Sequence, residues 1–310
     1  MIEDDGLFYT SEVDNPTLGA TINGYCLELL LCITDNSLVF QTSDPLTGEK
    51  LVIKLIKRKP NKELRILNEV QLISEFNIDT IIKIRDAFQY MQFYCITMPY
   101  APGGTLYTYI RKYYPNGIPE AICKVMVVSM LETLKQLRKQ GVVHRDIKLC
   151  NFLVFNTNDQ IPLLVLSDFG FATRCIPNGM NEFLGTLSYV APEILQRRSY
   201  SYEVDMWSFG VCVYSMLSGR FPFPQPNNQR ARQRVIRGIF SFRSDAWQNV
   251  SSDAKDFIRR LLTISQTERM TPKQGLMHPW LRDVAKHSRV EGEVTALINI
   301  DADSMFETGY

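Results

Sequence analysis

The feature that most constrains the fold is a change of hydrophobic pattern at Pro102-Gly103-Gly104. Before it lie short β-rich runs separated by turn residues, over residues 27–33, 51–56 and 93–98. After it the pattern is that of long helices, over residues 119–140, 205–217 and 252–262. A chain of 310 residues is also longer than one hydrophobic core usually supports. The sequence therefore predicts an α+β protein, with a small antiparallel sheet followed by a larger, mainly helical part.

One helix is predicted inside the strand-rich part, over residues 62–75. Its apolar residues recur at three-residue steps, which is typical of one face of a helix: Leu64, Leu67, Val70 and Ile73. The helix predicted over residues 252–262 opens with three residues whose side chains can cap a helix N-terminus, Ser251, Ser252 and Asp253.

The charge and cysteine content exclude several classes of protein. The formal net charge is +1, so no field of the whole molecule would attract nucleic acid or an anionic membrane. Seven cysteines without a C-x-x-C pair do not resemble a disulfide framework or a zinc site. The sequence begins with acidic residues and contains no apolar run of about 18 residues. We therefore predict a cytoplasmic protein, with the nucleus as the alternative, and no nucleic-acid or membrane partner.

Two short motifs of the helical part carry the groups that phosphoryl transfer requires. Residues 144–151 read His-Arg-Asp-Ile-Lys-Leu-Cys-Asn, and residues 168–170 read Asp-Phe-Gly. Phosphoryl transfer needs little covalent chemistry, so an enzyme must position metal, phosphates and nucleophile with carboxylates, an amide and a lysine. A lone His-Arg-Asp tripeptide is uninformative, but chance rarely produces both motifs at this spacing.

With these motifs the chain resembles the eukaryotic Ser/Thr protein kinases over residues 24–282. Residues 219–223, 247–262 and 278–281 resemble the calcium/calmodulin-dependent group and its checkpoint-kinase relatives. The resemblance implies a bilobal protein kinase fold with an ATP site between the lobes. It divides the chain into an N-terminal extension (1–23), an N-lobe (24–101), a C-lobe (102–282) and a C-terminal tail (283–310).

The resemblance assigns a catalytic or metal-binding role to four residues of the two motifs. Asp146 would orient the substrate hydroxyl and accept its proton, and Lys148 would neutralise the transferred γ-phosphate. Asn151 and Asp168 would hold Mg²⁺. These roles imply ATP and Mg²⁺ as cofactors.

Lys54 and Glu69 complete the predicted catalytic set. Lys54 ends a Leu-Val-Ile-Lys run that fits the phosphate-binding strand of the family, and Glu69 on the predicted helix would be its ion-pair partner. Exposed Lys–Glu pairs contribute only about 0–1 kcal/mol, so such a pair would align Lys54 more than it would stabilise the fold.

The glycine-rich loop of the family is altered in this chain. Its three glycine positions fall on Cys32, Thr34 and Ser37. Glycine serves there because the absent Cβ lets backbone amides approach phosphate oxygens, so we expect an altered grip on the phosphates. Val52 replaces the usual alanine above adenine, and Met98 is the predicted gatekeeper. The remaining residues that the resemblance places around ATP are Val39, Pro99, Ala101 and Leu153.

Residues 171–190 correspond to the activation segment of the family. Gly185-Thr186 resembles the Ser/Thr-specific form, in which the threonine hydroxyl bonds the catalytic Asp and Lys. Glu182 stands where many relatives carry a phosphothreonine that binds the arginine before the catalytic Asp. We predict that Glu182 pairs with Arg145 and imitates that phosphate; the alternative is an exposed loop glutamate.

Three residues outside these motifs are predicted to be structural. By the resemblance, Asp205 ties down the catalytic loop from a buried helix. Arg269 would pair with Glu193 of the Ala-Pro-Glu sequence that follows the activation segment.

The sequence is less informative about protein partners than about chemistry. Relatives that prefer basic substrates carry acidic residues where this chain has Thr105 and Cys150, so an arginine pocket is not expected. Arg230, Arg232, Arg234 and Arg237 could dock acidic protein segments, although a solvated helix face is the simpler interpretation. Residues 283–310 lack the basic amphipathic helix that calmodulin binds, so calmodulin is not predicted as a partner.

The function predicted is that of an ATP-dependent kinase acting on Ser or Thr of protein substrates. The alternative from another class is a pseudokinase scaffold, which the missing loop glycines and Val52 motivate. Against it stand five retained catalytic residues: Lys54, Glu69, Asp146, Asn151 and Asp168. A small-molecule kinase of the same fold is a third interpretation, which Gly185-Thr186 disfavours.

Overall fold

The structure is a computed structural model that describes residues 16–34, 37–59, 63–155, 161–176 and 179–285. Its chain forms two compact units. The first consists of the residues up to Ile66 together with Lys83–Tyr100, and the second of Leu67–Ile82 together with the residues from Ala101 onward.

The first unit is built on two antiparallel elements. A hairpin pairs β1 (Thr21–Ile22) with β2 (Tyr25–Cys26). A five-stranded sheet has the order β3-β4-β5-β7-β6 and consists of β3 (Leu29–Thr34), β4 (Ser37–Ser43), β5 (Lys50–Lys57), β6 (Asp86–Tyr90) and β7 (Phe93–Pro99). The antiparallel sheet predicted from the β-rich runs is therefore present.

The hairpin covers one face of the sheet. Phe40 of β4 and Ile53 of β5 are buried against Ile22 and Tyr25 of the hairpin. Because successive side chains of a strand point to opposite faces, Val39, Val52 and Lys54 lie on the other face. These three side chains are half-buried.

Helix α1 (Glu63–Glu75) matches the helix predicted at residues 62–75, with Lys62 outside the described residues. The predicted apolar face was wrong in its first half, because Leu64 is 80% and Leu67 is 54% exposed, whereas Ile73 is buried as predicted. The buried residues are Ile66, Glu69, Leu72 and Ile73. Because the buried face of α1 includes the charged residue Glu69, hydrophobicity alone does not identify this face.

The second unit is mainly helical. Its helices are α2 (Leu106–Tyr113), α3 (Glu120–Lys139), α4 (Pro192–Leu195), α5 (Glu203–Ser218), α6 (Gln229–Ile236), α7 (Ser252–Leu261) and α8 (Pro272–Leu276). Four short strands pair antiparallel, β8 (Val142–Val143) with β11 (Thr173–Arg174) and β9 (Phe152–Phe155) with β10 (Leu163–Leu166). Helix α5 is buried along almost its whole length and packs against α3 and α7. In the described part of the chain no helix has the length and apolar character needed to span a bilayer.

Of the three predicted cap candidates of α7, Ser251 is the cap, since its hydroxyl accepts a hydrogen bond from the Ala254 amide at 3.1 Å. Such caps typically stabilise a helix by about 1 kcal/mol. The observed bounds of α3, α5 and α7 lie within two residues of the predicted patterns. The α+β class is therefore confirmed.

A buried ion pair anchors the short helix α4. Arg269 donates two hydrogen bonds to the Glu193 carboxylate, at 2.6 and 3.0 Å, and both side chains are almost fully buried. The guanidinium also donates to the backbone carbonyls of Thr263 and Glu203, at 2.9 and 2.8 Å. A buried pair is stable only when its remaining donors are satisfied in this way. The predicted pairing is thus confirmed, and it fixes the end of the activation segment.

Candidate active site

The loop that carries the two predicted catalytic groups lies between β8 and β9 and is held by a carboxylate of α5. Asp205 accepts hydrogen bonds from the backbone amides of His144 and Arg145, both at 2.8 Å, as predicted. Burial raises the pKa of Asp205, whereas the imidazole of His144 and these two amides act in the opposite direction. Arg145 has a φ of +65°, a conformation that non-glycine residues rarely adopt. The two bonds to Asp205 hold the loop in this unusual path.

Three other predicted site residues donate hydrogen bonds to the carboxylate of Asp146. Lys148 Nζ donates to Asp146 Oδ2 at 2.6 Å, and Asn151 Nδ2 donates to the same oxygen at 3.3 Å. The hydroxyl and the amide of Thr186 donate to Asp146 Oδ1, at 2.8 and 2.9 Å. Lys148 also donates to the Thr186 hydroxyl at 3.1 Å. Charged hydrogen bonds of this kind orient a carboxylate strongly.

The geometry of Asn151 and Asp168 is compatible with a bound Mg²⁺. The side-chain amide of Asn151 donates to the backbone carbonyl of Asp146 at 2.9 Å, which commits its nitrogen and leaves Oδ1 as the oxygen that could bind a metal. The amide and hydroxyl of Ser167 donate to the Asn151 carbonyl, at 2.8 and 3.0 Å, and so bring the neighbouring Asp168 to the catalytic loop. Mg²⁺ prefers a few protein oxygens supplemented by water and substrate phosphates. Among the residues that the structure describes, no group of three or more His, Cys, Asp or Glu could hold a metal ion.

The residues that follow Asp168 pack against helix α1. Phe169 is fully buried, with its ring 5.5 Å from that of Phe76 and 4.8 Å from the imidazole of His144. A Cβ added to Gly170 would lie 3.4 Å from Glu69 Oε2. The carboxylate of Glu69 therefore lies beside the Asp-Phe-Gly sequence and is buried there.

The sheet of the first unit aligns the predicted ATP residues with one another. Val39 is the register partner of both Cys32 and Lys54, so these three residues form one row across β3, β4 and β5. Val52 is paired with Met98, and Leu51 with Pro99. The structure therefore places Val52, Met98 and Lys54 on two adjacent strands.

The two other predicted ATP residues, Ala101 and Leu153, belong to the second unit. Leu153 pairs with Val165 in the β9–β10 ladder and forms a bridge to Thr105. The backbone of Val154 bonds Gly103 and Gly104, at 3.0 and 2.9 Å. These bonds attach the segment that follows Ala101 to strand β9.

The positions that replace the loop glycines bond one another. Thr34 and Ser37 are paired at the ends of β3 and β4, and their hydroxyl oxygens are 2.8 Å apart. The Ser37 amide donates to Thr34 Oγ1 at 3.0 Å. Cys32 and Thr34 are exposed. The backbone amide of Ser37 is thus hydrogen-bonded to the Thr34 side chain, a bond that glycine at position 34 could not form.

Glu182 and Arg145 form an ion pair, as the sequence predicted. Arg145 Nε also donates to the Phe171 carbonyl at 2.6 Å, and the Tyr200 hydroxyl donates to the Glu182 carbonyl at 3.0 Å. Arg145 is almost fully buried, whereas the side chain of Glu182 is 57% exposed. The pair connects the middle of the activation segment to the catalytic loop.

Gly185 lets the activation segment pass close to the catalytic loop. Its φ is +96°, and a Cβ at this position would lie 2.7 Å from the Arg145 carbonyl oxygen. Only glycine fits both the backbone conformation and this distance. The close approach places the adjacent Thr186 against Asp146.

Sequence reasoning missed two contacts between helix α1 and the start of the activation segment. Asn68 Nδ2 donates to the Ala172 carbonyl at 2.9 Å, and Arg174 forms an ion pair with Glu75. Glu75 and Arg174 are 99 positions apart in the sequence. Both resemble ordinary surface charges, so no pattern in the sequence signals this pair.

The sequence matches the model of the protein kinase domain over residues 35–281. The human Serine/threonine-protein kinase H1 is 30% identical over 274 residues, which are 86% of this chain and 63% of that protein. Calcium-dependent protein kinase 8 of Arabidopsis thaliana is 33% identical over 261 residues (82% of this chain and 48% of that protein). Calcium/calmodulin-dependent protein kinase type 1 of Macrobrachium nipponense is 31% identical over 233 residues (74% and 67%).

This chain thus spans less than two thirds of the length of the first two relatives. The names of these relatives confirm the predicted resemblance to Ser/Thr kinases and to the calcium/calmodulin-dependent group. Because the domain model covers most of the chain, the predicted fold is confirmed as well. The chain belongs to the protein kinase family.

Proposed function

We propose that the chain is a protein serine/threonine kinase that transfers the γ-phosphate of ATP with the help of Mg²⁺. The observation that carries this proposal is the set of hydrogen bonds at Asp146. Its carboxylate is oriented by Lys148 and by Thr186, the residue that resembles the Ser/Thr-specific form of the family.

Asp146 acts on the nucleophile in this proposal. Its buried carboxylate accepts a hydrogen bond from the substrate hydroxyl and then the proton that this hydroxyl loses. Thr186 keeps the carboxylate oriented. The ammonium of Lys148, 2.6 Å from Asp146, lies close enough to neutralise charge on the transferred phosphoryl group.

Asn151 Oδ1 and the Asp168 carboxylate are the proposed ligands of Mg²⁺. When bound, the metal neutralises the negative charge of the phosphates. Lys54 contributes a positive charge to phosphate binding, and Glu69 aligns it. Val39, Val52, Met98, Pro99, Ala101 and Leu153 are the proposed adenine and ribose contacts, and Cys32, Thr34 and Ser37 the proposed phosphate-loop positions.

Glu182 has a proposed regulatory role. Its carboxylate supplies Arg145 with the negative charge that a phosphate provides in relatives, so the activation segment keeps its path without phosphorylation. The ion pair with Arg145 and the bond from Tyr200 support this proposal.

The proposed function is tested by phosphate transfer from γ-labelled Mg-ATP to a mixed Ser/Thr peptide library. We expect turnover with the unmodified chain, and a loss of at least about a hundredfold in Asp146→Asn and Asp168→Asn, because the first removes the proton acceptor and the second a charged ligand of Mg²⁺. A thermal-shift titration with Mg-ATP reports nucleotide binding independently of turnover. If the unmodified chain were no more active than Asp146→Asn and Asp168→Asn, the proposal would be contradicted and a scaffold function favoured.

A further inference from the structure

A strongly basic surface lies on helix α6, away from the residues assigned to catalysis. Residues 206–244 contain six arginines and no lysine, aspartate or glutamate. Three of these arginines, Arg230, Arg234 and Arg237, are spaced by four and three residues and are exposed. This spacing places them on one face of the helix. We call these three residues the arginine surface.

The opposite face of α6 holds the helix in place. Ala231 and Val235 are buried, and the helix packs against α4. Arg232 donates to the Pro226 carbonyl at 3.2 Å and Arg234 to the Ile239 carbonyl at 3.4 Å. Arg232 is left out of the arginine surface because its position in the sequence places it on another face of the helix. The arginine surface is thus presented outward by a well-anchored helix.

The charges of the arginine surface are not neutralised by the chain itself. Among the residues that the structure describes, no carboxylate forms an ion pair with Arg230, Arg234 or Arg237. Arg230 and Arg234 repel each other at i,i+4, and Arg230 stands in the first turn, where the helix dipole disfavours a cation. The first turn contains no acidic residue that would compensate. Local electrostatics therefore oppose this arrangement, as is common where a surface serves binding.

The position of α6 relates the arginine surface to the substrate. Helix α4, against which α6 packs, begins six positions after Thr186. The ring of Phe221, next to Arg220, packs edge-on against that of Tyr189, with 5.4 Å between the ring centroids. Residues 206–244 therefore adjoin the part of the chain that follows Thr186, the residue that orients the proposed proton acceptor Asp146.

We propose that the arginine surface binds an acidic segment of the protein substrate, rich in Asp and Glu, outside the phosphorylated residue. The guanidinium group is suited to this partner because its planar donors match a carboxylate in pairs. The assignment also fits Thr105, whose hydroxyl caps α2 by accepting from the Thr108 amide at 3.2 Å and provides no negative charge for a basic substrate. The substrate assignment rests on the proposed kinase function, whereas binding of the acidic segment does not require catalysis.

Two peptides that share one serine-containing core test the proposal. One carries a flexible linker followed by six acidic residues, and the other carries the same linker followed by six Gln and Asn. We expect the unmodified chain to prefer the acidic peptide by about tenfold in kcat/KM, through KM, because several exposed charge pairs of modest strength act together. The preference should decrease as the NaCl concentration is raised about tenfold, from 50 to 500 mM, since salt screens the attraction between exposed charges.

The triple variant Arg230→Gln/Arg234→Gln/Arg237→Gln should reduce this preference to about one. The matched control Lys139→Gln/Lys273→Gln/Arg282→Gln removes three exposed positive charges elsewhere and should keep it. Thermal melting verifies that each variant is folded, and the single variant Arg230→Gln replaces the triple variant if that chain does not fold. An equal preference in the triple variant and the control would overturn the proposal.

Fluorescence anisotropy of the labelled acidic peptide, without ATP, tests binding by the arginine surface separately from the proposed kinase function. Weaker peptide binding by the triple variant than by the unmodified chain would support the proposed role of the arginine surface. This holds even if no substrate were phosphorylated, because absence of phosphorylation would contradict only the proposed kinase function. No binding of the acidic peptide, together with binding of duplex DNA or phosphatidylserine vesicles by the same arginines, would overturn the proposal in favour of another anion.

Discussion

At the scale of single residues, the site depends on how completely Asp146 is bonded. Lys148 occupies one carboxylate oxygen and Thr186 the other. Lys148 also donates to the Thr186 hydroxyl, so this hydroxyl links the two proposed catalytic groups. A residue of the activation segment thereby becomes part of the orientation of Asp146.

Replacement of Thr186 by valine tests this link. Thr186→Val keeps the shape and the backbone bond to Asp146 but removes the hydroxyl, and we expect kcat to fall about ten- to a hundredfold, as for the loss of a hydrogen bond to a charged group. Thr186→Ser, which retains the hydroxyl, should keep most of the activity. Steady-state kinetics of the three chains on one peptide provide the measurement, and equal kcat values for Val and Ser would contradict the role assigned to the hydroxyl.

Replacement of Glu182 tests the phosphate-like role of its carboxylate. We expect Glu182→Ala to lower kcat about two- to fivefold in the unphosphorylated protein, since a half-exposed ion pair contributes up to about 1 kcal/mol. Glu182→Gln can still accept a hydrogen bond from Arg145, so its kcat should lie between those of the unmodified chain and of Glu182→Ala. Full activity of the alanine variant in a peptide assay would show that the pair with Arg145 has no regulatory effect.

At the scale of elements, Glu120 joins three parts of the second unit. It is the first residue of α3, and its carboxylate accepts hydrogen bonds from the Ser251 hydroxyl and amide, at 2.6 and 2.8 Å. It also accepts from Trp280 Nε1 at 2.7 Å. Burial raises the pKa of Glu120, but the bonds from Ser251 and Trp280 outweigh burial, so the net pKa is lowered from 4.5.

These bonds predict an acid-sensitive contribution to stability. Because the pKa of Glu120 is lower in the folded than in the unfolded chain, its contribution is present above the unfolded pKa of about 4.5 and is lost as the pH falls through the folded value. Glu120→Gln should therefore lower the urea midpoint at pH 7 and make it less dependent on pH below about pH 5. Glu268→Gln is an exposed control in the same unit and should leave both unchanged. A pH profile of Glu120→Gln that parallels that of the unmodified chain would contradict this account.

At the scale of the whole molecule, the bonds at the glycine-less loop bear on nucleotide affinity. The Ser37 amide donates to Thr34 Oγ1, and both residues are proposed phosphate-loop positions. We expect Thr34→Gly to lower the KM for ATP severalfold, because it frees this amide and restores a glycine position. Thr34→Val, which lacks the hydroxyl but keeps a branched side chain, separates the two effects. An unchanged or higher KM in the glycine variant would show that the Thr34 side chain does not hinder phosphate binding.

Net charge is also a property of the whole molecule, and here it conceals the distribution. A formal charge of +1 excludes a general attraction for polyanions, yet six arginines without any acidic residue occur within residues 206–244. Only the folded helix shows that three of them share an exposed face. The summed charge therefore says little about a local partner.

The sequence by itself determined the α+β class, the bounds of the longer helices and the identity of the residues in the catalytic loop. Periodicity, caps and short motifs are local, so they can be recognised without coordinates. The tertiary structure decided which face of α1 is buried, that Arg174 pairs with Glu75, and that Thr34 bonds Ser37. These features depend on contacts between distant residues or on polar groups in unexpected places, and no hydrophobic pattern encodes them. Asp146 was recognisable from its motif, but its orientation depends on Thr186, which lies 40 positions away in the sequence.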